Sequence, residues 1–219
     1  PYSAIRKLTP YADKAKKAGK KIYHLNIGAP DVKTPDLFLD AIKNLDLDVL
    51  TYAPSKGLPE LIEATSKYYK SWGMDFDPED IVVTTGGSEA LLFAILAITD
   101  EGDEILTCEP FYANYNSFSY ETGIKMNSFS SSVQDGFHLP NKEAIEKAIT
   151  PKTKAILLSN PCNPTGTVYN KEELRMVADI AKAHDLFILS DEVYREFTFD
   201  GAEFVSFATF EDVKDRVIV

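Results

Sequence analysis

Residues 190–194, Ser-Asp-Glu-Val-Tyr, place two carboxylates and a phenol directly after an apolar run. At this position the carboxylate of Asp191 is able to pair with a protonated nitrogen in the ring of a ligand. Alternatively, Asp191 and Glu192 cap a turn or bind a metal ion, although no histidine lies close enough in sequence to strengthen a metal site. The segment therefore indicates charge pairing with a ligand, and the two alternatives stay open.

Residues 84–90, Thr-Thr-Gly-Gly-Ser-Glu-Ala, join a predicted strand to an apolar helix. Glycines allow the main chain to turn tightly, and the first N–H groups of a helix have no partners within the helix. Such a helix start is a natural phosphate-binding site. The alternative is that Ser88 only caps the helix, and the glycine spacing matches neither the Walker nor the dinucleotide pattern.

Residues 159–166, Ser-Asn-Pro-Cys-Asn-Pro-Thr-Gly, also follow an apolar strand. The two Asn-Pro steps and the glycine predict a rigid, non-helical turn. An asparagine held in such a turn presents its amide to a ligand oxygen, and the alternative is a turn with a structural role alone.

Short apolar runs alternate with longer helical patterns along most of the chain. The predicted strands are residues 80–84, 104–108, 124–129, 154–159, 186–190, 196–199 and 216–219, and the predicted helices are residues 33–45, 88–99, 112–122, 141–149 and 171–184. Doubly apolar strands between helices predict an α/β fold, in which a mainly parallel sheet is covered by helices on both sides. Ligands of such sheets bind beyond the carboxyl ends of the strands, where all three polar segments lie.

Composition and charge exclude several classes of function. The 219 residues contain 23 Lys and Arg against 34 Asp and Glu, a formal net charge of -11, so we expect no nucleic-acid binding. The longest apolar run, residues 90–98, is well short of the roughly 18 residues of a membrane span, so we expect no membrane partner. The two cysteines, Cys108 and Cys162, predict buried free thiols and a cytoplasmic location.

Taken together, the segments resemble motifs of the class I/II aminotransferases, the fold-type I pyridoxal-phosphate enzymes of the aspartate aminotransferase superfamily. Residues 160–166 are similar to the family's Asn-Pro-x-Asn-Pro-Thr-Gly motif, and residues 191–194 to its strand-end Asp-Glu-x-Tyr. Three further segments resemble the family's glycine-proline loop, its Tyr-x-Pro-x-x-Gly segment and the loop that carries a cofactor-stacking aromatic residue: residues 25–31, 51–57 and 109–115.

The resemblance implies a three-layer α/β/α fold and two parts of the chain. Residues 1–45 are expected to form an N-terminal arm and a segment associated with a small domain. Residues 46–219 are expected to form the N-terminal part of the large domain that binds pyridoxal 5'-phosphate, incomplete at its C-terminus. The boundary near residue 45 is also where the pattern of elements becomes regular.

For the cofactor ring, the resemblance implies contacts from four side chains. Asp191 is implied to pair with the pyridine nitrogen, and Asn163 and Tyr194 to hydrogen-bond the phenolic oxygen. Tyr112 is implied to stack on the ring face, an arrangement worth about 0.5–1.5 kcal/mol beyond simple burial.

The phosphate and the substrate have their own implied contacts. Gly87 and Ser88 are implied to donate main-chain N–H groups to the phosphate. Tyr52 is implied to reach the phosphate of a neighbouring subunit, which predicts a homodimer. Gly28 and Asn163 are implied to lie near the substrate, a small amino acid or 2-oxo acid.

The family's catalytic lysine has no counterpart in the 219 residues. This lysine forms a Schiff base with the cofactor and is expected beyond Val219, after the strand predicted at residues 216–219. Lys214 lies before that strand in no matching context, so no catalytic residue is assigned. We therefore expect the chain by itself to be inactive.

Three functions are consistent with the resemblance. The first is an aminotransferase that moves an amino group between an α-amino acid and a 2-oxo acid. The second is a pyridoxal-phosphate-dependent carbon–sulfur lyase or a related enzyme acting at the α-carbon. The third is an aminotransferase-like effector-binding module of a transcription regulator.

Overall fold

A computed structural model describes residues 6–25, 28 and 30–219. The chain divides into two units, Pro1–Ser55 and Lys56–Val219. In the first unit a 3-10 helix, Arg6–Leu8, leads into helix α1, Thr9–Lys17, and helix α2 spans Asp36–Lys43. Helix α2 begins after Pro35. A proline disfavours a helical conformation in the residue before it, so the helix does not extend further towards the N-terminus. The domain boundary near residue 45 stays a prediction.

The second unit contains the remaining helices and all the strands of the described residues. Its helices are α3 (Pro59–Ser71), α4 (Gly87–Ile98), α5 (Tyr115–Thr122), α6 (Lys142–Glu146) and α7 (Lys171–Ala183). Its strands are β1 (Glu104–Glu109), β2 (Lys125–Ser130), β3 (Thr153–Ser159), β4 (Phe187–Asp191) and β5 (Val217–Ile218). Short 3-10 helices occupy Pro78–Asp80, Val133–Asp135, Phe207–Thr209 and Glu211–Arg216.

The five strands form one parallel sheet in the order β2-β1-β3-β4-β5. Strand β3 is at its centre with β4 beside it, and their last residues, Ser159 and Asp191, are partners in register. Neighbouring strands in a parallel sheet end at the same edge, so the segments that follow β3 and β4 emerge side by side.

The sheet lies between two apolar cores, which confirms the predicted three-layer α/β/α arrangement. Along β3, Ile156 and Leu158 face a core that contains residues of α6 and α7, whereas Ala155 and Leu157 face a core that contains residues of α4 and α5. Adjacent residues of a strand point to opposite faces, so an apolar run without alternation buries both faces of this strand.

Two of the predicted strands are wrong. Residues 81–84 are irregular: Ile81 N–H donates to the Pro78 carbonyl at 3.3 Å, and Val83 N–H to the Lys56 carbonyl at 2.8 Å. Residues 196–199 begin within the second of two successive turns, in which Arg195 N–H donates to the Glu192 carbonyl and Phe197 N–H to the Tyr194 carbonyl. A strand needs a neighbouring strand as partner, and within the described residues neither segment has one.

Cys108 and Cys162 are both free and buried, as the sequence predicts. Burial raises the pKa of the Cys108 thiol to about 11, so this thiol is protonated at neutral pH. Within the part of the chain that the structure describes, no helix has both the length and the apolar character that crossing a membrane requires.

Candidate functional site

A cleft of about 590 Å³ lies at the carboxyl ends of the central strands. Its walls come from the start of α4, the loop between β1 and α5, the loop after β3 and the turn after β4. Six of the eight predicted site residues line it: Gly87, Ser88, Tyr112, Asn163, Asp191 and Tyr194. These residues span more than a hundred positions of sequence. Those that follow β1, β3 and β4 meet because parallel strands end at one edge of the sheet, whereas Gly87 and Ser88 follow the irregular residues 81–84.

Gly86 sets the direction in which helix α4 begins. It is the N-cap residue, and its φ of 120° and ψ of 172° lie in a region that is essentially restricted to glycine. The carboxylate of Glu89 accepts a bond of 2.6 Å from Thr85 N–H and so links the loop to the first helical turn. Ser88 lies inside the helix and makes no capping bond, so the alternative that Ser88 is the N-cap is wrong.

The first turn of α4 offers unpaired donors to the cleft. Among the described residues, neither the N–H group of Gly87 nor that of Ser88 makes a hydrogen bond. The aligned peptide dipoles of the helix add partial positive charge at this end. An anionic group in the cleft would satisfy both the donors and the dipole.

Asp191 ends β4 and is held on both its main chain and its side chain. Its carbonyl accepts a bond of 2.9 Å from Asn160 N–H, and its Oδ2 accepts one of 2.8 Å from the hydroxyl of Tyr115. A longer contact of 3.4 Å joins Val193 N–H to Oδ1. Within the described residues no cation lies within 4 Å of this carboxylate. Asp191 therefore brings a negative charge without an ionic partner to the wall of the cleft.

The aromatic wall of the cleft is Tyr112, which lies in the loop before α5. The ring of Tyr112 meets that of Tyr115 edge to face, with centroids 5.6 Å apart and planes at 90°. Tyr115 in turn stacks on Phe111 at 6.0 Å. The Tyr112 hydroxyl accepts a bond of 2.8 Å from the Asn114 amide. These contacts orient the Tyr112 ring before any ligand binds.

The two asparagines of the loop after β3 have different positions. Asn160 is buried, and its side chain accepts from Tyr169 N–H at 3.0 Å and donates to the Val205 carbonyl at 3.2 Å. Asn163 lines the cleft, and its amide has no hydrogen-bond partner among the described residues. Asn160 therefore holds the loop, whereas Asn163 is available to a ligand.

Glu192 is the member of the Asp-Glu pair that the sequence leaves without a role. Its side chain is buried, and it accepts bonds from the hydroxyls of Ser190 at 2.8 Å and Ser206 at 2.5 Å. Arg195 lies 3.2 Å from its other oxygen and over the ring of Tyr69. Burial raises the pKa of the Glu192 carboxyl, and the two hydroxyls act in the opposite direction.

A metal-binding role for Asp191 and Glu192 has no support in this geometry. In residues 6–25, 28 and 30–219, no group of three histidine, cysteine, aspartate or glutamate side chains is placed to hold a metal ion. The Glu192 carboxylate is directed towards two hydroxyls and an arginine.

The remaining predicted residues, Gly28 and Tyr52, belong to the first unit, where both are exposed. Tyr115 is the residue that sequence reasoning missed. The available signal was its spacing from Tyr112, because residues three apart on a helical turn share a face. Its partner Asp191 lies 76 residues away, and no local pattern indicates that contact.

Comparison with known proteins gives a consistent result. The family described as aminotransferase class I and II matches residues 20–219. An aspartate aminotransferase of Geobacillus stearothermophilus is 35% identical over 228 residues, which cover 99% of this chain and 56% of that protein. A probable aspartate/prephenate aminotransferase of Thermus aquaticus is 36% identical over 191 residues, covering 86% of this chain and 50% of that protein.

Solved structures agree with the sequence comparisons. A double mutant of Thermus thermophilus aspartate aminotransferase superposes with a TM-score of 0.90 at 33% identity. The match covers 99% of this chain and 56% of that one. The chain thus spans about half the length of the curated relatives it matches.

Proposed function

The chain belongs to the class I and II aminotransferase family, and on that premise we propose that the protein moves an amino group between an α-amino acid and a 2-oxo acid with bound pyridoxal 5'-phosphate. One observation carries the proposal. An aspartate without an ionic partner and helix N–H groups without acceptors line the same cleft at the sheet edge.

The residues of the cleft fit this cofactor chemically. Pyridoxal 5'-phosphate has an anionic phosphate, an aromatic face, a phenolic oxygen and a basic ring nitrogen. The N–H groups of Gly87 and Ser88 suit the phosphate, and the oriented ring of Tyr112 suits the aromatic face. Asn163 and Tyr194 are side chains of the cleft that can hydrogen-bond the phenolic oxygen. Asp191 would hold the ring nitrogen.

Each of these residues has a distinct effect on the reaction. When bound, the cofactor supplies an electron sink for negative charge that develops at the substrate's α-carbon. Asp191 keeps a proton on the ring nitrogen, because a carboxylate stabilises the positive charge of that site. Gly87 and Ser88 anchor the phosphate, and Tyr112 restricts the tilt of the ring. Asn163 and Gly28 are proposed to lie next to the substrate. The lysine that receives the α-proton is proposed to lie outside residues 1–219.

The aminotransferase proposal is preferred to the two alternatives. The two relatives described above, which cover 99% and 86% of this chain, are named as an aspartate aminotransferase and a probable aspartate/prephenate aminotransferase, and neither name is that of a lyase or a regulator. We therefore propose aspartate as the first amino acid to test, with other α-amino acids compared in the same assay.

A homodimer and a cytoplasmic location complete the proposal. The first unit exposes Tyr52 fully, which is consistent with a tyrosine that serves the phosphate of a neighbouring subunit. Mixing a Tyr52→Phe variant with an Asp191→Ala variant should then restore part of the activity, since one site of a mixed dimer has both native residues. Full activity in a protein that sediments as a monomer would exclude shared sites.

The proposal is tested with Asp191→Ala in the full-length protein. We expect binding of pyridoxal 5'-phosphate, followed by its absorbance, to weaken about 10- to 100-fold, because the ring nitrogen loses a charged hydrogen bond. Transfer of the amino group from aspartate to a 2-oxo acid should be nearly abolished. Asp179→Ala, at an exposed pair with Arg175, is the matched control and should keep both properties. Native transfer activity in Asp191→Ala would refute the assignment.

A further inference from the structure

Tyr115 is the side chain that holds Asp191 in place. Its hydroxyl donates to Asp191 Oδ2 at 2.8 Å, and only 1% of the residue is exposed. Among the described residues, the other contact of this carboxylate is the 3.4 Å approach of Val193 N–H. Tyr115 thus makes the one short hydrogen bond to a carboxylate that faces an open cleft.

The surroundings keep the Tyr115 hydroxyl a donor. Burial, and then the nearby charge of Asp191, raise the pKa of the phenol, so it stays protonated throughout the neutral range. The ring itself is fixed between Phe111 and Tyr112. A fixed ring with a protonated hydroxyl leaves the carboxylate of Asp191 little freedom to rotate.

Tyr115 also connects two parts of the site. Its ring supports Tyr112, which is proposed to lie against the face of the cofactor, and its hydroxyl supports Asp191, which is proposed to hold the ring nitrogen. We propose that Tyr115 is a positioning residue that prepares Asp191 to pair with a protonated ring nitrogen. This inference rests on the proposed function and adds to it a residue that does not itself contact the cofactor.

The physical argument is one of preorganisation. A carboxylate released from Tyr115 gains rotational freedom and water contacts in the free protein, and both are lost again when the ring binds. Binding to a ring that carries a nitrogen therefore becomes weaker. A ring in which C–H replaces that nitrogen has no favourable contact with Asp191, so the freedom of the carboxylate does not affect its binding in this way.

The test compares two ligands in the full-length protein. Dissociation constants are measured for pyridoxal 5'-phosphate and for its 1-deaza analogue, which has C–H in place of the ring nitrogen. In Tyr115→Phe the preference for the natural cofactor should fall about tenfold, the size expected for one hydrogen bond to a charged group. Phenylalanine retains the ring packing, and Tyr120→Phe removes an exposed hydroxyl from the same helix as a matched control that should keep the native preference.

The outcomes separate this inference from the proposed function. If Tyr115 serves only the core, both dissociation constants change by the same factor, the preference stays native, and the inference is overturned. It is also overturned if Tyr115→Phe lowers the preference further in an Asp191→Asn background, where the partner carboxylate is gone. If the unaltered protein shows no preference for the natural cofactor, the role proposed for Asp191 fails instead.

Discussion

Replacing Gly86 by alanine tests how the loop before α4 directs N–H groups into the cleft. Gly86 has φ 120° and ψ 172°, a conformation that costs a residue with a side chain about 1–3 kcal/mol. A Cβ atom added at this position meets no other atom within 4 Å. The whole cost therefore comes from the main chain, and we expect the free energy of unfolding to fall by about 1–3 kcal/mol.

Gly87 provides a matched control one residue away. It has no positive φ, it begins the helix, and an added Cβ again meets no atom within 4 Å. Alanine at a compatible position stabilises by about 0.4–1 kcal/mol, because it restricts the unfolded chain. The two variants should thus change stability in opposite directions and differ by about 1.4–4 kcal/mol, although each adds one methyl group at the junction between the loop and α4.

Urea unfolding of both variants of the full-length protein, without cofactor, measures this difference. A second measurement is the affinity for pyridoxal 5'-phosphate, which should weaken in Gly86→Ala because relief of the strain redirects the N–H groups of Gly87 and Ser88. Equal unfolding midpoints for the two variants would show that the conformation of Gly86 does not control this loop.

Two further predictions concern buried polar groups around the site. Asn160→Ala leaves Tyr169 N–H and the Val205 carbonyl without partners and should lower the free energy of unfolding by about 2–4 kcal/mol. Asn163→Ala should change the free energy of unfolding by less than about 0.5 kcal/mol but should weaken cofactor binding. Similar unfolding curves for the two variants would contradict the structural role of Asn160. Burial raises the pKa of the Glu192 carboxyl in the folded protein above its ordinary value of 4.5. The folded protein therefore binds this proton more tightly than the unfolded chain does, and it loses stability as pH rises from the unfolded-state pKa to the folded-state pKa. Because glutamine does not titrate and Arg195 stays charged, the stability of Glu192→Gln relative to the unaltered protein should increase as pH is raised from about 4.5, as followed by thermal unfolding. A stability difference between Glu192→Gln and the unaltered protein that does not change with pH would refute this account.

The sequence by itself determined the layered α/β arrangement and the segments that form the cleft. Residues 154–159 and 186–190 are apolar without alternation, and such runs bury both faces of a strand in a sheet covered on both sides. The polar residues that follow them must then lie at the carboxyl edge. The contacts that Asn163 and Asp191 make with the same cleft follow from that rule, whereas Gly87 follows residues 81–84, which are not a strand.

Strand pairing was decided only by the tertiary structure. Residues 80–84 and 196–199 have side chains that favour strands, but propensity describes how a side chain fits a pleated surface. It does not supply the neighbouring main chain that a strand needs, and these two segments have none among the described residues. Local hydrogen bonds therefore shape the turn after Asp191.

The roles of individual polar residues also depended on the tertiary structure. Asn160 and Asn163 share one motif, yet only the position of each relative to Tyr169 and the cleft separates a structural amide from an available one. Tyr115 and Asp191 meet across 76 residues because β1 lies beside β3, and β3 beside β4, in the sheet. Local periodicity indicates which residues are buried, whereas the order of the strands decides which buried residues touch.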